Sequence, residues 1–381
     1  MHFFLQNRVE PIVINQPEAI HTPRLLVLKD RLDYNVERMR ELLHAINPSF
    51  DLSCLCPHVK THKSSWITRF MVDHGINFFK ASLNEIDMLI DSRVRKIFVA
   101  YPLLEFDARK LADAIQGNPD IQFYVQIARS EHVNILKKIS REKGVKWHYY
   151  IDADVGMSRS GIPVEETYGF FLSVQGDRSF VFSGLHAYDG HIRDKEKKDR
   201  RNTAFRCMAR VEKTLNHFSE HGVKTPNIIV AGTPSFLADA EYWSQANQKT
   251  TVFFSPGTWI YFDAATYEMM PNTFDFAAVI LAQVIDKPTC DTATLNLGHK
   301  RWAVDSGPID TFSVPNMRAV QWSEEHTVVR FPDHLQLDIG DYVIIVPRHV
   351  CSTVNLWEDF VVVDKQGDII KKKCPINGRN R

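Results

Sequence analysis

The stretch CPHVKTHKS, residues 56–64, sets two histidines and two lysines directly behind the apolar run FDLSCLC. Lys60 stands at the end of what reads as a buried strand, where a desolvated amine loses basicity and becomes usable as a nucleophile. A solvated surface lysine is the plainer reading of that position taken alone. Lys63 has less claim, since it stands where the next helix begins. DADVGMSRSGI, residues 152–162, brings Arg159 between Gly156 and Gly161. Its G-x-S-x-x-G spacing is not a nucleophile elbow, so Ser158 has no claim on pattern, and an ordinary glycine turn with an exposed arginine fits equally. VAGTPSF supplies Gly232, Thr233 and Ser235 at the start of a helix, and SPGTW repeats a Gly-Thr pair at Gly257 and Thr258. Small hydroxyls and free N–H groups at a helix start suit an anion such as phosphate. VPRHVCSTVNLW places His349 and Cys351 two apart after the strand DYVIIV. In extended chain such residues share a face, so an imidazole and a thiolate could grip one borderline cation such as zinc, in a site left open for water or substrate. A buried cysteine beside a surface histidine would also account for them.

The elements that must position these residues alternate from about residue 24. RLLVLK precedes DRLDYNVERMRELLHAI, NFFKAS precedes LNEIDMLIDSR, and KIFVAYP precedes LLEFDARKLADAIQG. IQFYVQIA, KWHYYIDAD, SFVFSGLHAY and NIIVAGT continue the pattern, each bounded by turn residues. With SCLCPHV this makes about eight strand-helix units, which predicts an α/β fold with a (β/α)8 TIM-like barrel; an open doubly wound sheet is the alternative. Chemistry in such a barrel gathers at the C-terminal strand ends, where Lys60, Arg159 and Gly232 stand. After TVFFSPGTWIYFD the helical periodicity stops, and short strands predict a C-terminal all-β domain. The expected domains are 22–262 for the barrel and 263–381, with 1–21, for the β domain.

Composition narrows the partners. Of 381 residues, 44% are hydrophobic and 24% charged, enough to bury a large core. Lys+Arg and Asp+Glu both number 46, which argues against nucleic acid or an anionic membrane and for a small-molecule partner. The N-terminus lacks the pattern of a signal peptide and no apolar run approaches the roughly 18 residues of a membrane span, so a cytoplasmic protein is expected. Six scattered cysteines without a C-x-x-C pair make structural disulfides unexpected.

Taken together, the segments resemble the fold-type III pyridoxal-phosphate enzymes, specifically the D-serine dehydratase and D-threonine aldolase branch of the alanine-racemase-like superfamily. The likeness runs from about residue 21 to 357, through TPRLLVLKDRLDYNVERM, PHVKTHKS, GLHAYDGH, AGTPSF and PRHVCSTVNLW in that order. The resemblance implies that Lys60 holds pyridoxal phosphate covalently, with His58 and His62 as neighbours of no assigned role. It implies that Arg159 approaches the cofactor's phenolic oxygen and that Tyr188 stacks on its pyridine ring. Thr233, Gly257 and Thr258, together with Gly232 and Ser235, would hold the phosphate, and His349 and Cys351 the zinc. The third metal ligand stays open among Glu325, His326, water and substrate.

Three positions depart from the family pattern. Cys56 stands where an arginine is usual, Ser255 where racemases set an arginine opposite the pyridine nitrogen, and Asn296 where an aspartate is usual. The implied activity is loss of water from a β-hydroxy D-amino acid, giving a 2-oxo acid and ammonia, since His-x-Cys accompanies dehydratases in that family and His-x-Asp aldolases. Aldol cleavage to glycine and an aldehyde is the alternative. Racemisation and a non-catalytic cofactor carrier rank below it. The resemblance also implies a homodimer.

Overall fold

A computed structural model describes residues 1–5, 10–246 and 250–379. The chain forms two compact units, each discontinuous in sequence: one holds residues 39–60 and 67–257, the other 1–38, 61–66 and 258–379.

The unit of residues 39–60 and 67–257 is built on a parallel sheet. Its strands run Phe78–Ala81, Lys96–Val99, Gln122–Ile127, Trp147–Asp154, Phe180–Ala187, Asn227–Val230 and Thr251–Phe254 in spatial order. Strands covered on both faces need near-continuous apolar side chains, and KIFV and NIIV each bury their last three residues. Between strands, helices bury one stripe. Glu105–Gly117 turns Ala108, Leu111 and Ala112 inward, and Ser130–Lys143 stops where Gly144 takes φ 70°, the left-handed cap that glycine accepts.

Two expectations about this sheet need correction. RLLVL, Arg24–Leu28, is not its opening strand; it lies in the sheet of the other unit, and Thr251–Phe254 completes the parallel set instead. SCLCPHV forms no ladder, because Pro57 lacks an N–H and the segment divides its bonds between two neighbours. Cys56 N–H donates to the Phe254 carbonyl at 2.7 Å and Pro57 accepts from Lys80 N–H at 3.0 Å. Among the described residues the segment's pairing consists of single bridges, Leu55 to Phe254 and His58 to Lys80. The fold is therefore a parallel half-barrel sheet whose ladder does not close. Cys56, Phe78, Phe98, Tyr150 and Ile229 pack inside it. Burial holds the Cys56 thiol far above its ordinary range, so it acts as a small apolar side chain.

The other unit is rich in antiparallel strands. Its sheet runs Arg318–Trp322, Thr327–Arg330, Thr292–Leu295, Ala278–Thr289, Arg24–Leu28, Asp359–Val363 and Ile369–Pro375. Tyr342–Val346 pairs with Ala278–Thr289 as well. Arg24–Leu28 sits between Ala278–Thr289, antiparallel, and Asp359–Val363, parallel, and its last four residues are buried. The short helices Ala264–Met269 and Val350–Val354 interrupt the expected run of strands. Among the described residues no helix is long and apolar enough to cross a membrane.

Candidate active site

In the half-barrel unit, Lys60 stands in a single turn, Val59–Thr61, just past the two bridges. The turn is fixed by His58, whose Nδ1 accepts the Lys60 N–H at 3.2 Å. The Lys60 side chain is exposed. Tyr188 follows the strand Phe180–Ala187, and its ring folds over Gly190, where a Cβ would come within 2.3 Å of ring carbons and the hydroxyl. Only glycine permits that approach. The Arg159 guanidinium lies 5.5 Å from the ring centre, so the arginine and the tyrosine are neighbours.

The loop after Asn227–Val230 turns at Ala231, whose φ of 74° is strained for a residue with a Cβ. Asp189 organises the loop. Its Oδ1 accepts the Gly232 N–H at 2.9 Å and the Ser235 hydroxyl at 2.8 Å. Thr233 Oγ1 in turn accepts the Gly257 N–H at 3.1 Å. Gly232, Thr233, Ser235 and Gly257 are thus brought into one hydrogen-bonded loop, with the Gly232 amide and the Ser235 hydroxyl directed at a carboxylate. Asp189 and Asp239 are both fully buried and lie side by side, with Ser235 as a neighbour of both. Burial, and then the charge of Asp189, raise Asp239 well above the carboxylate range, so it keeps its proton beside Asp189.

Ser255 is 2% exposed and its hydroxyl has no hydrogen-bond partner among the described residues. A buried hydroxyl left unpaired costs about 1–3 kcal/mol, so the position favours a ligand atom that would satisfy it. An exposed amine, a guanidinium, an aromatic face, a loop of small residues and this unpaired hydroxyl fit pyridoxal phosphate.

Sequence reading missed a buried chain next to these groups. Lys80 Nζ lies 2.8 Å from His186 Nε2, and His186 Nδ1 lies 2.8 Å from Asp152 Oδ1. Asp152 Oδ2 also accepts from Ser160 at 2.8 Å and Gln126 at 3.3 Å. Burial lowers Lys80 to about 7 and His186 to about 4. Burial opposes the charge on Asp152, yet the bond from His186 holds its carboxyl below the usual range. The available signal was the lysine inside the otherwise apolar run NFFKAS.

In the strand-rich unit, the His349 and Cys351 geometry differs from the expected extended alternation. His349 caps the helix Val350–Val354 and Cys351 lies in its first turn. Cys351 is the main influence raising His349 to about 9, and Asp305 adds to it. His349 Nδ1 is engaged by Asp305 Oδ2 at 2.6 Å and by Ser352 Oγ at 3.2 Å. Cys351 Sγ lies 3.2 Å from the hydroxyl of Thr61 and 3.8 Å from that of Thr258. Thr258 is therefore placed with the cysteine in this unit. An imidazole held at one nitrogen beside a thiol suits a soft or borderline cation. Among the described residues no group of three or more His, Cys, Asp or Glu side chains could hold a metal. Glu325 is ion-paired with Lys300 at 3.0 Å. His62 is buried, accepts the Ser64 N–H at 3.2 Å, and is pushed down to about 3 by burial.

The half-barrel with its chemistry past the strand ends, followed in sequence by a strand-rich region, is the architecture of alanine-racemase-like enzymes. The family model described as alanine racemase, N-terminal domain, matches residues 27–264, and that described as putative serine dehydratase domain matches 277–363. The chain belongs to the fold-type III pyridoxal-phosphate enzymes of the D-serine dehydratase and D-threonine aldolase family. It is similar to a D-threonine aldolase of an Arthrobacter species, 25% identical over 277 residues, covering 66% of this chain and 69% of that one. A D-serine dehydratase of Dictyostelium discoideum is 23% identical over 391 residues, covering 93% and 96%. The solved D-threo-3-hydroxyaspartate dehydratase of Delftia sp. HT23 superposes with a TM-score of 0.79 at 18% identity, over 93% of this chain and 97% of that one. Solved variants of that dehydratase replace a histidine and, two positions on, a cysteine; the cysteine variant is described as metal-free.

Proposed function

We propose that the chain is a pyridoxal-phosphate- and metal-dependent lyase that removes water from a β-hydroxy D-amino acid of the D-serine type, giving a 2-oxo acid and ammonia. The observation that carries this reading is the placing of His349 and Cys351 two residues apart at the start of one short helix, a spacing that matches the histidine and cysteine replaced in the solved dehydratase variants. Pyridoxal phosphate, when bound, supplies an electron sink that weakens the bonds at the amino acid's α-carbon. Lys60 is the residue that would hold it and, once released, remove the α-proton as general base. Tyr188 would support the cofactor ring. Arg159 would offset charge at the phenolic oxygen, and Ser255 would satisfy the pyridine nitrogen. Thr233 and Gly257 would hold the phosphate, while Gly232 and Ser235 shape the loop through Asp189.

His349 and Cys351 would hold a divalent cation, zinc by the softness of the donors, which supplies Lewis acidity toward a substrate hydroxyl. Asp305 keeps the His349 ring oriented for that task. The carboxylate beside the pair, Asp305, is engaged by the His349 ring and the Ser352 hydroxyl and so is not offered as a base for the β-hydroxyl, which favours departure of the hydroxyl over cleavage of Cα–Cβ. The preference for the D-enantiomer follows from the family. The similarity to the Arthrobacter aldolase supports the second reading, cleavage to glycine and an aldehyde. Product analysis separates the two: ammonia with pyruvate from D-serine supports the dehydratase, whereas glycine with acetaldehyde from D-threonine, and no ammonia, supports the aldolase.

A further inference from the structure

A lysine inside a parallel sheet is costly to bury unless it has partners. Lys80 is 3% exposed, between Phe79 and Ala81, which are fully buried. It belongs to the strand Phe78–Ala81 and bridges His58, two residues before Lys60. Its amine has two neighbours of different kinds. One is His186 Nε2 at 2.8 Å; the other is the face of the Tyr188 ring, whose centre is 4.4 Å away. The His186 and Tyr188 rings are nearly parallel, 10° apart with centres 6.4 Å from each other, and the amine ties one to the other.

The direction of the bonds follows from the carboxylate. Asp152 accepts the His186 Nδ1–H, which leaves Nε2 as an acceptor and makes Lys80 the donor. Asp152, held by Ser160 and Gln126, thus anchors the chain at its far end. An amine in either protonation state can donate to His186. Only the ammonium carries the charge that attracts an aromatic face.

We propose that Lys80, carried by Asp152 and His186, is the positioning residue for Tyr188: its ammonium holds that ring in the plane against which the flat ring of pyridoxal phosphate binds. The proposal rests on the reading of Tyr188 as the cofactor's stacking partner and adds the group that fixes it. The charged and titratable groups set against Lys80 are Asp152 and Arg159 from the Trp147–Asp154 strand and the loop after it, and His186 and Tyr188 from the end of Phe180–Ala187. Cys56 and Lys60 come from the bridging segment. Phe98, from Lys96–Val99, contributes an aromatic edge against His186. Burial above all, with Lys60 and Arg159, opposes the ammonium; Cys56 and Asp152 favour it, and the amine titrates near neutrality. The hold on Tyr188 is accordingly present below a pH of about 7 and lost as the pH rises through it.

The test uses the full chain freed of cofactor and the probe 4′-deoxypyridoxine 5′-phosphate, which lacks the aldehyde and so does not depend on bonding to Lys60. Its affinity is measured below and above neutrality for the wild type, K80R and K80M. K80R keeps a permanent cation and should bind tightly at both pH values, and K80M about tenfold more weakly at both. The wild type should match K80R below neutrality and approach K80M above it. The titration of the probe's own phosphate is common to all three and cancels in the ratios. Tight binding that K80M leaves unchanged overturns the proposal alone; no binding by wild type and K80R overturns the cofactor reading and the proposal with it. Should K80M not fold, the wild type and K80R compared above neutrality decide, and equal affinity there overturns the proposal.

Discussion

Asp305 Oδ2 lies 2.6 Å from His349 Nδ1 and receives the Ser352 hydroxyl at 2.7 Å. A carboxylate on one ring nitrogen sets the tautomer and aims the other nitrogen, and loss of such a partner costs metal affinity 10–100-fold as an order of magnitude. D305N is expected to lower metal content after dialysis by about that factor, and C351S to lower it further by removing the thiolate. Chelation should stop turnover and leave the cofactor's colour. A D305N protein that retains metal as firmly as wild type would show the carboxylate to be incidental.

Three lysines compete for the cofactor, and their surroundings differ. Lys60 is exposed; the Lys63 carbonyl accepts the Gly378 N–H at 2.9 Å in a left-handed turn; Lys80 is buried. Borohydride reduction of the coloured protein should fix the label on the peptide of Lys60, and K60A should be colourless. Recovery of the label on Lys63 or Lys80 would defeat the assignment.

Gly190 has no room for a side chain, since a Cβ would stand 2.3 Å from two ring carbons and the hydroxyl oxygen of Tyr188. G190A must push that ring aside. The expected result is a folded protein, by circular dichroism, with cofactor affinity reduced at least tenfold, a factor that corresponds to about 1.4 kcal/mol. Unchanged affinity would remove Tyr188 from the cofactor site.

Asp239 is a buried carboxyl raised well above its unfolded value of 3.8. Its raised folded value means that the native state binds more protons than the unfolded chain. Stability is therefore fullest below the unfolded value and falls as pH rises toward the folded one, by up to about 1.4 kcal/mol per pH unit. D239N has no proton to lose and should flatten the decline of melting temperature between mildly acidic and neutral pH. An identical slope in D239N would show that the proton resides elsewhere.

Motifs whose residues stand next to one another in the chain could be read directly. The bond between Thr233 and Gly257 joins two segments that were each already legible as small-residue turns. Lys80 was not legible, because its meaning depends on His186, 106 positions away, and on Asp152 beyond it. Asp189 was hidden for the same reason: it sits inside GLHAYDGH yet acts on Gly232 and Ser235, 43 and 46 positions later. The fold was misread where periodicity and partner disagree. RLLVL has the composition of any buried strand, and nothing local reveals which sheet will receive it. His349 and Cys351 were placed in extended chain, whereas a helix begins between them and brings the pair together by its turn.

The place of Arg24–Leu28 in the middle of a sheet bears on how the protein is made. Its antiparallel neighbour begins at Ala278, and Arg24 is ion-paired with Asp359, 335 positions further along. At a synthesis rate of about 5–20 residues per second, the ribosome needs roughly twenty seconds to a minute to deliver that second partner. Until Ala278 emerges RLLVL is an apolar strand with both edges unpaired, and until Asp359–Val363 emerges one edge stays open, the condition in which nascent chains associate with one another. The final hydrogen bonds of this short segment must wait until the C-terminal strands emerge.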